Sequence, residues 1–555
     1  VPPAARPSRL RPTFTHAPAG RYRRPGGPWD RGALTESLAA PGARPAVVDD
    51  DLRLSGAALR AAVDQAARAM AAGGVRRGTV VAWQLPNSAA AVVLYRACWQ
   101  LGAIAAPVHH RMGTAEAASA LEQVAPALVV AARGLACAEP GVAEAAAVDG
   151  ARHRAPSLLV VGTGPPATGR SSSGSVPALL QALAGWVSSR SPASCGAPAT
   201  VRGGDLAVVL FTSGSTGRPK AVLHTHRGLG YKAVLMARAH GLGADDAVLM
   251  PAPLAHISGL LNGVLLPGVL GVPAVLMAAW DPERALARIE QERVTFMGAP
   301  PVFFSQMAAE AGFRRERVAS LRLVSTGGAS VSPAFVDATS DRFGCRVKRT
   351  YGSTEAPTVT TSGPDDPPAR ARDFDGRPVG EAELRVVTPG STQPLPAGQP
   401  GEILLRGPEL FVGYADAAAT AAVRRPGGWL ATGDLGVVDE AGWLSVVGRL
   451  SDIIIRAGEN ISASEVEAAL ESHPAVRGAV AVPVPDPVVG ERVAAYVEAV
   501  APFDLAACRE WFDRQGMSRF KTPEHVVVVD HLPVLATGKP DRAALRARAA
   551  AELAC

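Results

Sequence analysis

The chain is 555 residues long, 48% apolar and 19% charged, with a net charge of +6, which excludes a disordered chain and is too long for one core. Arg and Lys are spread among Asp and Glu with no long basic blocks, so nucleic-acid binding is not expected. Six cysteines, at 98, 137, 195, 345, 508 and 555, show neither Cys-x-x-Cys pairing nor zinc spacing, which points to a reducing cytoplasm and no structural metal.

Residues 1–30 are rich in Arg and Pro, with Asp30 the first acid; they read as a flexible extension without the apolar stretch of a secretion signal. From Leu34 onward apolar strands alternate with Ala-rich helices: a strand over Ala46–Asp49, a helix over Gly56–Ala72, a strand over Val80–Leu85 and a helix over Ala89–Leu101. This alternation predicts an α/β fold of helix-covered sheets. Pro, Gly and Ser then accumulate over 150–204, a stretch read as a surface excursion carrying one helix near Val176–Val187.

The apolar run Leu206–Leu210 leads into Phe211-Thr212-Ser213-Gly214-Ser215-Thr216-Gly217-Arg218-Pro219-Lys220. Glycines let the backbone approach an anion, the hydroxyls donate hydrogen bonds, and Lys220 adds charge, so the loop is suited to phosphate. It is not a Walker A loop, because no Gly-Lys-Ser/Thr ending occurs. Ile257–Ala279 contains no charged residue, yet Pro267, Pro273 and four glycines divide it into a short helix and a strand near Ala274–Met277. Buried core is the reading, and no membrane insertion is expected.

Gly380–Gly413 predicts a β-rich section, and a new pattern starts after Gly448-Arg449. Ser464-Glu465-Val466-Glu467 predicts a helix start with a Ser cap and an acidic first turn, followed by strands over Ala479–Val484 and Arg492–Val500.

The phosphate loop resembles that of the adenylate-forming (AMP-binding) superfamily. Further motifs follow in the same order: Thr350-Tyr351-Gly352-Ser353-Thr354-Glu355, Thr432-Gly433-Asp434, Gly448-Arg449-Leu450-Ser451-Asp452, Gly458-Glu459-Asn460-Ile461 and Thr537-Gly538-Lys539. With Leu85-Pro86-Asn87 and Leu101-Gly102-Ala103 upstream, the likeness spans nearly the whole chain. It implies a large domain over 31–449 with a β-rich subdomain, a hinge at 450–452, and a small mobile α+β domain over 453–555.

The same resemblance implies ATP, Mg²⁺ and CoA. Thr212, Ser213, Gly214, Ser215, Thr216, Gly217 and Lys220 would hold the β- and γ-phosphates, Thr354 the α-phosphate, and Glu355 the Mg²⁺. Adenine would lie against Gly327, Gly328 and Ala329 with Tyr351 over its other face; Asp434 would accept the ribose hydroxyls, helped by Arg449. Lys539 would bridge the substrate carboxylate and the α-phosphate. Rotation about Ser451 would bring Ala457 and Gly458 to line the CoA channel. Two positions depart from the family pattern: Ser451 stands where Asp or Lys is usual, and Ala457-Gly458 where Gly-Gly is usual.

His256, in Pro-Leu-Ala-His-Ile-Ser-Gly, occupies a region where peptide-synthetase relatives place an Asp for an ammonium group. The chain therefore resembles acyl- and aryl-CoA ligases, those for medium-chain or cyclohexanecarboxylic acids among them, with His256 a gate and Ile257, Leu260, Met297 and Gly327 as pocket walls. Transfer of the activated group to a carrier protein or an amine, and activation of nitrite, remain open beside the CoA reading. A nucleotide-binding sensor is the non-enzymatic alternative, and retention of Lys220, Glu355, Asp434, Arg449 and Lys539 together argues against it.

Overall fold

The computed structural model describes residues 10, 32–38, 45–50, 52–139, 141–143, 156–161, 175–189, 200–212, 219–329, 331–457, 459–535 and 540–553. The phosphate-loop residues Ser213, Gly214, Ser215, Thr216 and Gly217, the channel residue Gly458, the catalytic candidate Lys539, and nearly all of 1–30 lie outside the described residues. The chain divides into two compact units: Val1–Gly328, Pro333–Glu383 and Leu405–Leu430 form the first, and Ala329–Ser332, Leu384–Leu404 and Ala431–Cys555 the second.

The first unit is built on two largely parallel sheets, as expected of strands alternating with helices. In one, strands run in the order Ser157–Val161, Leu128–Ala132, Val80–Gln84, Ile104–Pro107, Leu206–Thr212 and Lys220–Thr225, with the last pair antiparallel. The other has nine strands, and its parallel centre includes Arg346–Tyr351, Leu323–Gly327, Phe296–Ala299 and Val248–Met250 side by side. Leu59, Ala66, Met70, Tyr95, Trp99 and Leu183 fill one core cluster with the facing strands. Trp83 meets Tyr95 edge to face at 4.7 Å, and Tyr95 packs on Trp99.

The 150–204 stretch is not surface throughout. Ser157–Val161 is the edge strand of the six-stranded sheet, and the helix Val176–Ser188 buries Leu179, Leu183 and Trp186. The indole of Trp186 lies within 2.1 Å of where a Cβ on Gly73 would stand, so a side chain there would evict it. Compositional bias marked the Gly/Ser segments, while the apolar positions of the helix between them belong to the core.

The uncharged stretch folds as expected into a buried helix and the strand Ala274–Leu276. The helix is broken by a π turn over Leu261–Leu265, flanked by α-helical Ile257–Leu260 and Leu266–Leu270. At its start Gly259 packs on backbone: an added Cβ would lie 2.0 Å from the Pro253 carbonyl oxygen and 2.9 Å from Leu254 Cα. Main chain cannot step aside as a flexible side chain can. Gly259→Ala is expected to destabilise the first unit by about 1–3 kcal/mol, read as a lower urea midpoint; an unchanged midpoint would show that the turn relaxes freely. Among the described residues, no helix is long and apolar enough to cross a membrane.

In the second unit the strands Glu459–Ser462, Ile453–Arg456, Gly490–Ala499 and Val476–Asp486 form a sheet, with His525–Val529 parallel to Gly490–Ala499. The helix begins at Ala463, one residue before the expected Ser464 cap, and Ser462 at the cap position makes no capping bond. Both hydroxyls are used elsewhere: Ser462 and Ser464 each donate to the Val447 carbonyl, at 2.9 and 2.7 Å. They fasten the end of strand Leu444–Arg449 to this helix.

Candidate active site

Strand Lys220–Thr225 positions the first group of site residues. Thr212 and Lys220 are opposite partners across the hairpin, so the phosphate-type loop opens between them. Residues 412–415 run along the other edge of this strand: Val412 N–H donates to Leu223 O, Leu223 N–H to Gly413 O and Ala415 N–H to Ala221 O, all at 2.8–2.9 Å. That register puts Tyr414 beside Lys220, whose ammonium lies 5.5 Å from the ring centroid. The Tyr414 hydroxyl in turn donates to Glu355 Oε1 at 2.7 Å, and Phe411 N–H donates to the Glu355 carbonyl at 2.8 Å.

Thr354 is held from the same strand. The fully buried His224 ring donates from Nε2 to the Thr354 carbonyl at 2.7 Å. Burial lowers its pKa to about 4, against the smaller opposing pull of that bond and of Glu355, so it works as a neutral donor. Burial, with Glu355 adding to it, also raises the Tyr414 hydroxyl well above its usual range, which keeps its proton on. Lys220, Tyr414, Glu355, Thr354 and His224 thus form one connected group. Sequence reasoning missed His224 and Tyr414: one looks like an alternating strand residue, the other stands far from Glu355 in the chain.

At the neighbouring strand ends, Gly327 is paired with Thr350, and a Cβ on it would lie 2.2 Å from the Thr350 carbonyl oxygen. Gly328 follows with a left-handed φ of 77°. Tyr351 closes the adjacent strand and is 8% exposed. These residues stand at the C-terminal ends of parallel strands, the edge at which open α/β sheets bind ligands. Ala329 is exposed.

Two side-chain amides at the end of strand Val80–Gln84 organise the histidines. Gln84 donates to the carbonyls of His109 and Met112 and accepts from Cys137 N–H. Asn87 donates to Ala252 O and accepts from Leu254 N–H, and the buried Tyr95 hydroxyl donates to Leu254 O. The result brings His109 onto His256, with centroids 4.7 Å apart, and stacks His110 on His109 at the same distance. Arg111 N–H donates to His109 Nδ1, which assigns the proton of the neutral ring to Nε2. Burial, with the neighbouring histidines, lowers the His109 pKa to about 2, and burial with Arg111 lowers that of His110 to about 4. His109 and His110 carried no recognisable signal beyond being adjacent. Of the expected pocket walls, Leu260 and Met297 are fully buried and Ile257 packs against the core cluster.

In the second unit Asp434 and Arg449 are directly opposite across antiparallel strands, with Arg449 Nε 2.7 Å from Asp434 Oδ1. Thr432 Oγ1 donates to the Ile403 carbonyl and accepts from Asp434 N–H, fixing the turn at Gly433. Asp434 is 4% exposed, a carboxylate presented from a rigid strand. Ser451 lies in the short 3-10 segment Leu450–Asp452; its hydroxyl donates to Asp452 Oδ1, and its carbonyl accepts from Arg546 at 2.6 Å. Ala457 has a left-handed φ of 50°. A methyl side chain there costs on the order of 1 kcal/mol relative to Gly.

By architecture this is an α/β enzyme in which Gly327 and Tyr351 stand at the C-terminal ends of parallel strands. The profile of the AMP-binding enzyme family matches residues 34–415, and that of the AMP-binding enzyme C-terminal domain matches 465–539. The chain belongs to the AMP-binding enzyme family. It is similar to the medium-chain fatty-acid–CoA ligase of Escherichia coli, 34% identical over 502 residues that cover 87% of this chain and 84% of that one. It also resembles a feruloyl-CoA synthase of Amycolatopsis, at 32% identity over 499 residues, 89% of this chain and 94% of the other. The solved structure of ATP-bound MatB from Rhodopseudomonas palustris matches with a TM-score of 0.80 and 26% identity, covering 93% of this chain and 97% of that one.

Proposed function

We propose that this chain is an AMP-forming acid–thiol ligase acting on an apolar carboxylic acid of medium-chain, alicyclic or aryl type, in the cytoplasm. The observation that carries the reading is the connected Lys220–Tyr414–Glu355–Thr354–His224 group, which assembles a cation, a hard oxygen ligand and a fixed threonine at the mouth of the hydroxyl-rich loop. Its support from relatives is that both curated proteins named above carry CoA ligation in their names.

In the first step a carboxylate oxygen attacks the α-phosphorus of ATP, and the bond to pyrophosphate breaks. Two anions must approach, so cationic groups matter most: Lys220 for the departing phosphates, Lys539 for the carboxylate and α-phosphate. Glu355 suits Mg²⁺, because Oε1 is oriented by Tyr414 and Oε2 is the remaining hard oxygen. Bound there, the ion would offset charge on the phosphate oxygens. Thr354 would contact the α-phosphate, Gly327, Gly328, Ala329 and Tyr351 would frame the adenine, and Asp434, oriented by Arg449, would accept the ribose hydroxyls.

In the second step the thiol sulfur of CoA attacks the acyl carbon, AMP leaves, and the thiol proton is released. We assign the hinge to Ser451, between a large domain over 31–449 and a small one over 453–555, and the thiol path to Ala457 and Gly458, with His256 as its gate. The pocket walls assigned are Ile257, Leu260, Met297 and Gly327.

The test is AMP release from Mg²⁺-ATP with a panel of aliphatic, alicyclic and aryl acids, each with and without CoA. Acid-dependent turnover that requires CoA and yields a thioester is expected. Pyrophosphate release indifferent to CoA would redirect the second step to a carrier protein, an amine or nitrite chemistry.

A further inference from the structure

The segment assigned as the hinge is held on both sides. Upstream, strand Leu444–Arg449 is paired with Trp429–Val438 as far as Arg449, which stands opposite Asp434. Downstream, Arg546 on the helix Arg542–Glu552 donates to the Ser451 carbonyl at 2.6 Å and to Asp452 Oδ1 at 3.2 Å. Arg542 on the same helix lies 3.6 Å from Asp452 Oδ2 and donates to Glu467 Oε2 at 2.6 Å, which ties this helix to Ala463–Glu471. With the strand fixed up to Arg449 and the peptide plane fixed just after Ser451, the soft dihedrals left for a turn are those of Leu450 and Ser451.

Ser462 and Ser464 bridge that pivot. Val447, before it, offers its carbonyl to two hydroxyls that come after it, Ser464 Oγ at 2.7 Å and Ser462 Oγ at 2.9 Å, and the two hydroxyl oxygens lie 2.9 Å apart. A carbonyl oxygen has two lone pairs, so one acceptor serves both donors. Gly448 makes the approach possible: a Cβ there would stand 2.9 Å from Ser462 Oγ and 3.0 Å from Ser464 Oγ. Ser462 occupies the N-cap of the helix Ala463–Glu471, yet it makes no capping bond. A turn at Ser451 moves one arm against the other and parts the hydroxyls from the carbonyl. Ser462 can then accept from the open amides of its own helix, which offsets part of the loss. The Val447 bonds thus belong to one orientation, and the other is left close enough in free energy to be reached.

We propose that Ser462 and Ser464 are positioning residues for the two-step reaction. Their bonds to Val447 latch the part of the chain that carries Ala457, Gly458 and Lys539 in one of the two orientations that adenylation and thiol transfer require. They thereby set how fast each step runs relative to the other. The inference rests on the acid–thiol ligase reading and on the hinge assigned to Ser451. Two hydrogen bonds made in one orientation only bias the pair of states by about 5- to 100-fold.

The experiment measures the two steps separately on the full chain with Mg²⁺-ATP and with octanoate, cyclohexanecarboxylate and benzoate. Acid-dependent exchange of pyrophosphate into ATP reports the first step, and single-turnover transfer from the preformed acyl-AMP to CoA reports the second. Ser462→Ala combined with Ser464→Ala should move the two rates in opposite directions and change their ratio by about 5- to 100-fold. Each alanine alone should shift the ratio the same way by a smaller factor, which keeps the test available if the double variant does not fold. Ser464→Thr keeps the hydroxyl and should stay within about twofold of the unaltered protein. Rates that fall together, an unchanged ratio in the alanine variants, or a shift as large with threonine as with alanine at 464 would each overturn the proposal. In all three cases acid-dependent thioester formation would still stand, whereas failure of every acid to support exchange in the unaltered chain would sink the ligase reading and this inference with it.

Discussion

Glu355→Gln is expected to lower acid-dependent pyrophosphate release by about a thousandfold or more, and Tyr414→Phe to do something different. The amide keeps the shape of the carboxylate but loses its charge, so a hard divalent cation loses its protein anchor at Glu355. Removal of the Tyr414 hydroxyl leaves the carboxylate in place and frees Oε1, which that hydroxyl orients at 2.7 Å. Groups that orient a metal ligand typically contribute 10- to 100-fold in metal affinity or activity. The phenylalanine variant should therefore need about 10- to 100-fold more Mg²⁺ for half-maximal rate and approach the parental kcat once saturated. The glutamine variant should not recover at any Mg²⁺ concentration. Equal loss of kcat in both variants, with no shift in Mg²⁺ dependence, would place Glu355 in a structural role and remove it from cation binding.

The residues proposed for this site carry local marks in the chain, and the reason is backbone conformation. Phosphate loops, strand-end glycines and the Thr-Gly-Asp turn act through backbone conformation within a few consecutive residues, so their chemistry leaves a contiguous trace. Gly327 illustrates it: only the absence of a Cβ lets it pass the Thr350 carbonyl, and the glycine shows in the sequence. The strand–helix alternation was equally legible, because each element carries its own periodicity.

What escaped is assembled over long sequence separation. Tyr414 reaches Glu355 across 59 positions, and His224 reaches Thr354 across 130. Neither pairing follows from any window of the chain; both follow from which strands lie side by side. The same holds for His109 and His256, brought together by Gln84 and Asn87 through bonds to carbonyls and amides that carry no residue-specific mark. The two serines after Ile461 show a subtler loss. The sequence predicts a cap at Ser464, yet both hydroxyls are oriented by donating to the Val447 carbonyl, which only the fold brings near.

Acid should shift the stabilities of the two units in opposite directions. His109, His110, His224, His226 and His240 all belong to the first unit, and burial depresses every one. The values fall to about 2 for His109 and about 4 for His110, His224 and His226, from an ordinary 6.5. Between pH 6.5 and 4 the unfolded chain therefore binds protons that the folded unit refuses. The stability these rings contribute is present above pH 6.5 and is lost as pH falls toward and through 4. Each fully effective difference of one proton changes stability by about 1.4 kcal/mol per pH unit. Glu409, raised by burial although Lys232 faces it, opposes the trend, but one carboxyl offsets only part of five rings. Unfolding of the first unit near pH 5 should take up roughly three to four protons.

The second unit carries the opposite sign in the same range. Burial raises Glu471 to about 7, outweighing the Ala479 N–H that opposes it, and Glu467 is raised by burial against Arg542. A folded state that holds a proton the unfolded chain releases gains stability as pH falls from 7 toward 4.5. Calorimetry from pH 7 to 5 should then show the larger unit's midpoint dropping steeply and the smaller unit's holding or rising. His224→Gln keeps a donor toward Thr354 without the titrating ring, and should flatten the first unit's acid slope by about one proton. A single transition whose midpoint stays level from pH 7 to 5 would show that these histidines are already protonated in the folded chain, and the neutral-donor role assigned to His224 would fall with it.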